Sequence, residues 1–313
     1  MSTGLDSDAL IALRRLRRHL TVWRLLAVAG FALAIFLGVR ESGVLTTEAH
    51  VARVPIDGII VDDREFIGML DQIADDDSVK AVIADISSPG GTFTGGEAVY
   101  AALRRIGEQK PVVTVMGGLA TSGAYMASLG ADRIYAGYGT VTGSVGVIMQ
   151  SADVTGLMDK IGIKPEVMKS GELKATPNPL EQLSLPAREQ LQTVIDELHV
   201  RFMKMVSERR RMSLNEVRQR TGDGRVMTGS AALDAGLVDA IGDINTARVW
   251  LSAERNVSEN LPLLDWVLDD PLAWWQESAS TLASSIFGKS LLSERLRLDG
   301  IQALWHPSLS GGQ

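Results

Sequence analysis

The sequence predicts an α/β fold with a parallel-rich sheet and covering helices. The runs "VKAVIADI" (79–86) and "PVVTVMG" (111–117) are short and β-branched and show little polar alternation, which indicates buried strands. Residues 64–76 and 95–109 carry apolar side chains at helical spacing and precede these strands. Strands that alternate with helices favour a mainly parallel sheet, because parallel neighbours need long crossover connections.

The same alternation continues on both sides of these elements. Further elements are predicted as a strand at 51–61, a compact Ala-rich helix at 123–131, a long helix at 186–210 and a last segment at 228–242. The repeating pattern therefore occupies about residues 51–250.

Composition excludes several kinds of chemistry. The formal net charge of −7 gives no support for nucleic-acid binding, which would need a basic face. The chain has no cysteine, so disulfides, thiolate metal sites and a cysteine nucleophile are impossible. No motif calls for a metal or an organic cofactor, and we expect none.

The N-terminal region predicts a membrane anchor at 21–40. Residues 25–39 are apolar without a polar interruption, and five arginines lie on their N-terminal side. Positive-inside orientation places the basic arm 1–20 in the cytosol and the rest outside the cytoplasmic (inner) membrane. A cleaved signal peptide is the alternative, although no small-x-small cleavage site follows the apolar run.

The two ends of the repeating region differ from it in character. Residues 41–50 form a short linker after the anchor. The tail 251–313 is rich in tryptophan, with Trp266, Trp274, Trp275 and Trp305. These side chains either pack on the core or a neighbouring subunit, or lie at a membrane surface, where tryptophan is enriched.

Ser122 stands where the predicted strand 111–117 gives way to the helix 123–131. A hydroxyl at such a junction lies beside free backbone N–H groups, which suits a nucleophile. The alternative is that Ser122 only caps the helix.

A serine nucleophile needs a base. His199 is the only histidine inside the αβ region, and it falls in the middle of the long helix, which disfavours a Ser-His-Asp triad. Lys169 and Lys174 remain for a Ser-Lys pair, and Lys174 lies in a Gly- and Pro-bounded loop that could aim it inward. The alternative is an ordinary surface lysine.

Four short motifs occur in order: "SPGG" (88–91), "ATSGAYMAS" (120–128), "TGSVGV" (142–147) and "KSGELK" (169–174). Together with "GRVMTGSAALDAGLVDAIGD" (224–243), this set closely resembles the signal peptide peptidase A family of membrane-anchored serine peptidases. The resemblance covers about residues 51–250 and does not extend to the tail.

The resemblance implies a role for each matched residue. Ser122 is the nucleophile, Lys174 is the general base and Ser144 orients the lysine amine. The N–H groups of Gly91 and Gly123 form the oxyanion hole. Lys169 becomes a bystander. The family also implies a ClpP/crotonase-like fold and a homo-oligomeric ring.

We therefore expect a membrane-anchored endopeptidase that cuts hydrophobic peptides, including remnant signal peptides. A desolvated lysine is hard to obtain in one small domain, so we expect Lys174 of one chain to serve Ser122 of the next. The alternative interpretations of the function are a crotonase-type acyl-CoA enzyme and a catalytically silent scaffold that binds membrane proteins.

Overall fold

The computed structural model describes residues 21, 23–31 and 48–268, together with the backbone of 302–304. The chain divides into two units, Met1–Ala49 and His50–Gln313. In the first unit, residues 23–31 are helical (α1). No helix within the described residues is long and apolar enough to cross a membrane. The predicted anchor at 21–40 and the arm 1–20 lie largely outside those residues.

Nine strands in the described part of the second unit form one sheet. They are β1 (His50–Ile60), β2 (Val79–Thr92), β3 (Val112–Thr121), β4 (Arg133–Ala136), β5 (Val141–Gly143), β6 (Val226–Thr228), β7 (Ala240–Ile241), β8 (Leu263–Asp265) and β9 (Gln302–Leu304). The main order is β6-β5-β3-β2-β1-β8, with β4 beside β3, β7 beside β4, and β9 beside β2. Only the β5–β6 and β2–β9 pairs among these strands are antiparallel.

Helices cover both faces of this sheet. They are α2 (Arg64–Asp75), α3 (Phe93–Gly107), α4 (Gly123–Ser128), α5 (Thr155–Ile161), α6 (Leu185–Arg210), α7 (Leu214–Thr221), α8 (Gly229–Asp234) and α9 (Ile244–Arg255). Along β2, Val82 faces the larger core with α2, α3, α4 and α6, while Ile83 faces a second core under α9. Burial on both faces explains why the central strands lack alternation. The predicted α/β fold with a parallel-rich sheet is confirmed.

Two central strands extend beyond their predicted ends. β2 continues through the "SPGG" motif to Thr92, and β3 continues to Thr121. The proline and the two glycines of this motif are typical of loops. In the structure β1 pairs with both glycines, Ile59 with Gly90 and Ile60 with Gly91. A Cβ atom at Gly91 would lie 1.7 Å from the Ile60 carbonyl oxygen, so this close strand approach requires glycine.

The described start of the tail packs on the core. β8 pairs in parallel with β1, and the Trp266 Nε1–H donates to His50 Nε2 at 3.1 Å, with the two rings stacked. His50 is fully buried by this arrangement. Packing on the core is therefore the observed role of Trp266. Trp274, Trp275 and Trp305 lie outside the described residues.

Close packing between helices fixes α4 beneath the sheet. α4 is shorter than predicted and ends at Ser128. Just beyond it, a Cβ atom at Gly130 would lie 2.7 Å from the Leu103 Cβ and 2.8 Å from the Tyr100 carbonyl oxygen, both on α3. α3 and α4 therefore approach so closely that one added methyl group has no room.

Gly130→Ala should lower the free energy of unfolding by about 2 kcal/mol, because the methyl group must push α3 and α4 apart. Gly118→Ala is the matched control, since its Cβ meets no atom within 4 Å. Urea unfolding of both variants measures the difference. Equal midpoints would show that the α3–α4 contact is not tight.

Candidate active site

Ser122 occupies a strained turn between β3 and α4. Its φ is 55° and its ψ is −118°, a backbone conformation that residues other than glycine rarely adopt. The residue is only 1 % exposed. Its N–H donates to the Gly143 carbonyl oxygen at 2.8 Å. Ser122 stands at the N-cap position of α4, but its side chain makes no capping hydrogen bond. The capping interpretation is therefore wrong, and the hydroxyl is left for another role.

The adjacent strand β5 brings a second serine to the same place. Ser144 directly follows Gly143, whose carbonyl accepts the Ser122 N–H. Ser144 also has a positive φ, 52°, and its own N–H donates to the Arg225 carbonyl oxygen at 2.8 Å. The backbone hydrogen bond between Ser122 and Gly143 therefore places Ser122 and Ser144 together at the carboxyl end of the sheet.

The two predicted oxyanion-hole glycines lie at this same end. Gly123 follows Ser122 directly, and Gly91 lies in the last segment of β2. The Thr121 hydroxyl donates to the Pro89 carbonyl oxygen at 3.0 Å, which ties the end of β3 to β2. Sequence reasoning did not identify Thr121, although it stands directly before Ser122. The carboxyl ends of β2, β3 and β5 thus gather four of the five predicted site residues.

Lys174 is placed differently. It lies in the loop between α5 and α6 and is exposed. Among the hydrogen bonds of the described residues, none joins Lys174 to Ser122. Lys169 is largely buried and forms an ion pair with Glu181, which gives it a structural partner. The loop therefore presents Lys174, and not Lys169, to the surroundings of the chain.

His199 does not complete a triad. It lies within α6, and its buried Nε2 has no hydrogen-bond partner among the described residues. A catalytic histidine would accept from the serine hydroxyl or donate to a carboxylate. The described geometry therefore gives no support to a Ser-His-Asp arrangement.

A buried polar network holds the helix that follows Ser122. The Tyr125 hydroxyl donates to the Leu237 carbonyl oxygen at 2.9 Å, and burial raises the pKa of this phenol, which keeps it a neutral donor. Ser128 Oγ donates to the Tyr125 carbonyl oxygen at 2.6 Å. Tyr125 and Leu237 are 112 residues apart, so no local sequence signal could have joined them.

An ion pair supports the segment that Tyr125 contacts. The Arg210 guanidinium lies 2.7 Å from an Asp239 carboxylate oxygen, and it also donates to the Gly236 carbonyl oxygen at 2.8 Å. Asp239 in turn accepts the Ile134 N–H at 2.8 Å. Burial, the largest single influence, opposes the charge on Arg210, but the hydrogen bond to Asp239 and electrostatic attraction together outweigh it and raise the pKa of Arg210. The network links α6, β4 and the segment before β7.

No group of three or more histidine, cysteine or carboxylate residues within the described ranges is arranged to hold a metal ion. The groups gathered at the carboxyl ends of β2, β3 and β5 are serine hydroxyls and backbone N–H groups. Such a set suits nucleophilic attack on a carbonyl with oxyanion stabilisation.

Comparisons with known proteins identify the family of this chain. Residues 104–258 match the sequence profile of peptidase family S49. A protein of Methanocaldococcus jannaschii named as a candidate protease is 36% identical over 209 residues, 67% of each chain. A protein of Enterococcus faecium named as a candidate signal peptide peptidase SppA is 30% identical over 244 residues, 72% of this chain and 71% of its own length. The chain belongs to peptidase family S49, and the resemblance to the signal peptide peptidase A family is confirmed.

Among solved structures, a variant of a membrane-bound stomatin-specific protease is similar to this chain. The TM-score is 0.46 at 15% sequence identity, over 71% of this chain and 100% of that one.

The strain at Ser122 gives a stability prediction. Ser122→Gly and Ser122→Ala both remove the hydroxyl, but only glycine adopts a positive φ without steric cost. Ser122→Gly should therefore unfold with a free energy about 1 kcal/mol higher than Ser122→Ala. Denaturant unfolding of the two variants measures this. Equal stability, or a more stable alanine variant, would mean that the turn is not strained.

Proposed function

We propose that the chain is a serine endopeptidase that uses Ser122 as nucleophile and Lys174 as general base. The observation that carries the proposal is the buried, strained Ser122 at the end of β3, whose hydroxyl makes no capping bond. Membership of family S49 supports the peptidase class. The pairing with Lys174 rests on the "SGELK" motif and on the exclusion of His199 and Lys169 by their observed surroundings.

The reaction follows from these groups. The neutral Lys174 amine removes the proton from Ser122 Oγ as that oxygen attacks the peptide carbonyl. The N–H groups of Gly91 and Gly123 stabilise the oxyanion of the tetrahedral intermediate. The lysine then gives its proton to the leaving amine, and an acyl-enzyme remains. Water, deprotonated by the same amine, attacks the acyl carbonyl, and the amine returns that proton to Ser122 Oγ as the carboxylic acid product leaves. Ser144 orients the amine throughout.

We further propose that Lys174 acts on Ser122 of a neighbouring copy. Lys174 is exposed in the single chain, whereas a lysine base must lose water to become neutral. The segment that carries it exposes a set of large apolar side chains: Leu157, Ile161, Ile163, Met168 and Leu185. Large exposed apolar side chains concentrated in one segment favour a protein interface. A second copy packed there would bury both that surface and Lys174.

The proposal also covers the assembly of the chain and its position at a membrane. We propose a ClpP/crotonase-like core assembled as a ring, with the residues 21–40 as an anchor in the cytoplasmic membrane and the peptidase outside it. An active site held near the membrane meets hydrophobic peptides such as remnant signal peptides. The chemistry needs no cofactor, since hydroxyl, amine and N–H groups supply every step.

The dyad predicts three variant activities. Ser122→Ala and Lys174→Ala should each abolish hydrolysis of a synthetic signal peptide while the fold is retained, because the two residues act as one unit. Lys164→Ala is the matched control, since Lys164 is an exposed lysine in the same segment and should keep normal turnover. Product masses and circular dichroism provide the readouts. Near-normal turnover by Lys174→Ala would exclude it as the base.

The origin of Lys174 is tested by mixing. Inactive Ser122→Ala and Lys174→Ala chains are combined under conditions that exchange subunits, with exchange verified by native mass spectrometry. Mixed assemblies contain interfaces with both intact residues, so activity should return. Confirmed exchange without recovered activity would place both residues of the dyad in the same chain.

The pH profile tests the base independently. A lysine amine accepts a proton only when neutral, so kcat/KM should rise with increasing pH as the amine deprotonates in the free enzyme. Ser144→Ala should lower kcat, because the amine is no longer oriented. A kcat/KM that is flat between about pH 5 and about pH 10 would contradict a titrating lysine.

A further inference from the structure

The end of β2 has one edge that β3 leaves unpaired. On the first edge of Gly90–Thr92, β1 supplies Ile59 opposite Gly90 and Ile60 opposite Gly91. On the second edge, the last pair with β3 is Ser88 with Ala120, after which β3 ends at Thr121 and the chain turns away at Ser122. β2 therefore projects past β3, with its second edge on the side of Ser122.

The strand β9 lies against this projecting segment. Its pairing is antiparallel and in register, with Gly90 opposite Leu304, Gly91 opposite Ala303 and Thr92 opposite Gln302. A β-strand has only two edges, and β1 already holds the first edge at Gly90 and Gly91. β9 must therefore occupy the second edge, next to the turn at Ser122.

We propose that this edge is the docking strand for extended peptides and that the segment Gln302–Leu304 is a built-in occupant that competes with them. The inference rests on the proposed peptidase function and adds to it a regulating segment of the chain itself. Strand addition uses main-chain hydrogen bonds, so the same edge accepts peptides of many sequences. One edge takes one strand at a time, and β9 and a substrate exclude each other.

The position of β9 beside Gly91 indicates that it blocks substrate binding directly. It pairs with Gly91, whose N–H is proposed for the oxyanion hole, on the edge of β2 that β3 leaves free after the Ser88–Ala120 pair. A tethered competitor acts at a high effective concentration, since its docking is intramolecular. Substrate must displace it, which raises KM and leaves kcat unchanged once the substrate is bound.

The test removes the strand pairing within the full-length chain. Proline has no N–H and is excluded from a paired strand, so the double variant Ala303→Pro/Leu304→Pro should release β9. The matched control Ala303→Ser/Leu304→Val keeps both N–H groups. For hydrolysis of a synthetic signal peptide, the proline variant should show a KM about tenfold lower with unchanged kcat, and the control should match the parent chain.

Binding is measured separately from catalysis. In a Ser122→Ala background, a fluorescent non-cleaved signal peptide should bind the proline variant about tenfold more tightly than the control, by anisotropy. Amide hydrogen exchange at Gly90–Thr92 should be faster in the proline variant without peptide, and slow again when peptide is added. Equal peptide affinity and unchanged exchange at Gly90–Thr92 would overturn the proposal.

The two readouts separate this inference from the proposed function. One outcome is that the proline variant binds peptide more tightly while no chain that contains Ser122 hydrolyses it. That result would support the docking edge and contradict the proposed peptidase function. Normal hydrolysis with identical KM in all three chains would retain the peptidase and reject β9 as a competitor.

Discussion

The architecture of the site depends on one offset: β3 ends at Thr121, directly before Ser122, while its neighbour β2 continues to Thr92 beyond the last β2–β3 pair. Directly after the last β3–β5 pair, Thr121 with Gly143, the Ser122 N–H donates to the Gly143 carbonyl oxygen at 2.8 Å. The same bond brings Ser144 beside Ser122, because Ser144 follows Gly143 in the chain. The offset also leaves one edge of Gly90–Thr92 without β3. The proposed nucleophile, its neighbouring serine and the proposed peptide-docking edge therefore all lie at a single break in strand pairing.

The strained turn persists because its surroundings leave it no alternative. A positive φ at a residue other than glycine costs roughly 1–3 kcal/mol, and such a residue survives where packing determines it. On one side, Ser122 is held by β5, and on the other by α4, which packs closely against α3. The Tyr125 hydroxyl and its bond to the Leu237 carbonyl secure α4 from below. Burial of this network prevents α4 from relaxing towards a regular helix start.

Local sequence patterns predicted the fold well where hydrophobic periodicity is strong. β1, α2 and α6 begin and end within about one residue of the predicted positions. In α2 the reason is the regular helical spacing of its apolar residues. The extension of β2 through "SPGG" was missed, since Gly and Pro normally signal loops and only pairing with β1 overrides that tendency. Tertiary pairing of this kind leaves no trace in the local sequence.

The site was predicted in part. Motifs identified Ser122, Ser144, Gly91 and Gly123, and the structure brings all four to the carboxyl end of the sheet. Their roles, and the role of Lys174, remain predictions. Thr121 and Tyr125 act through partners 32 and 112 residues away, a relation that spacing cannot reveal. The pairing of β9 with β2 likewise joins segments far apart in the chain.

Covalent labelling shows whether Ser122 is an activated nucleophile. The full-length chain is treated with a fluorophosphonate that reacts only with activated serines, and peptide mass mapping locates the adduct. One adduct is expected, on Ser122, absent from Ser122→Ala and slower to form in Lys174→Ala. An adduct on Ser144 or another serine, or none on a folded and peptide-cleaving chain, would contradict it.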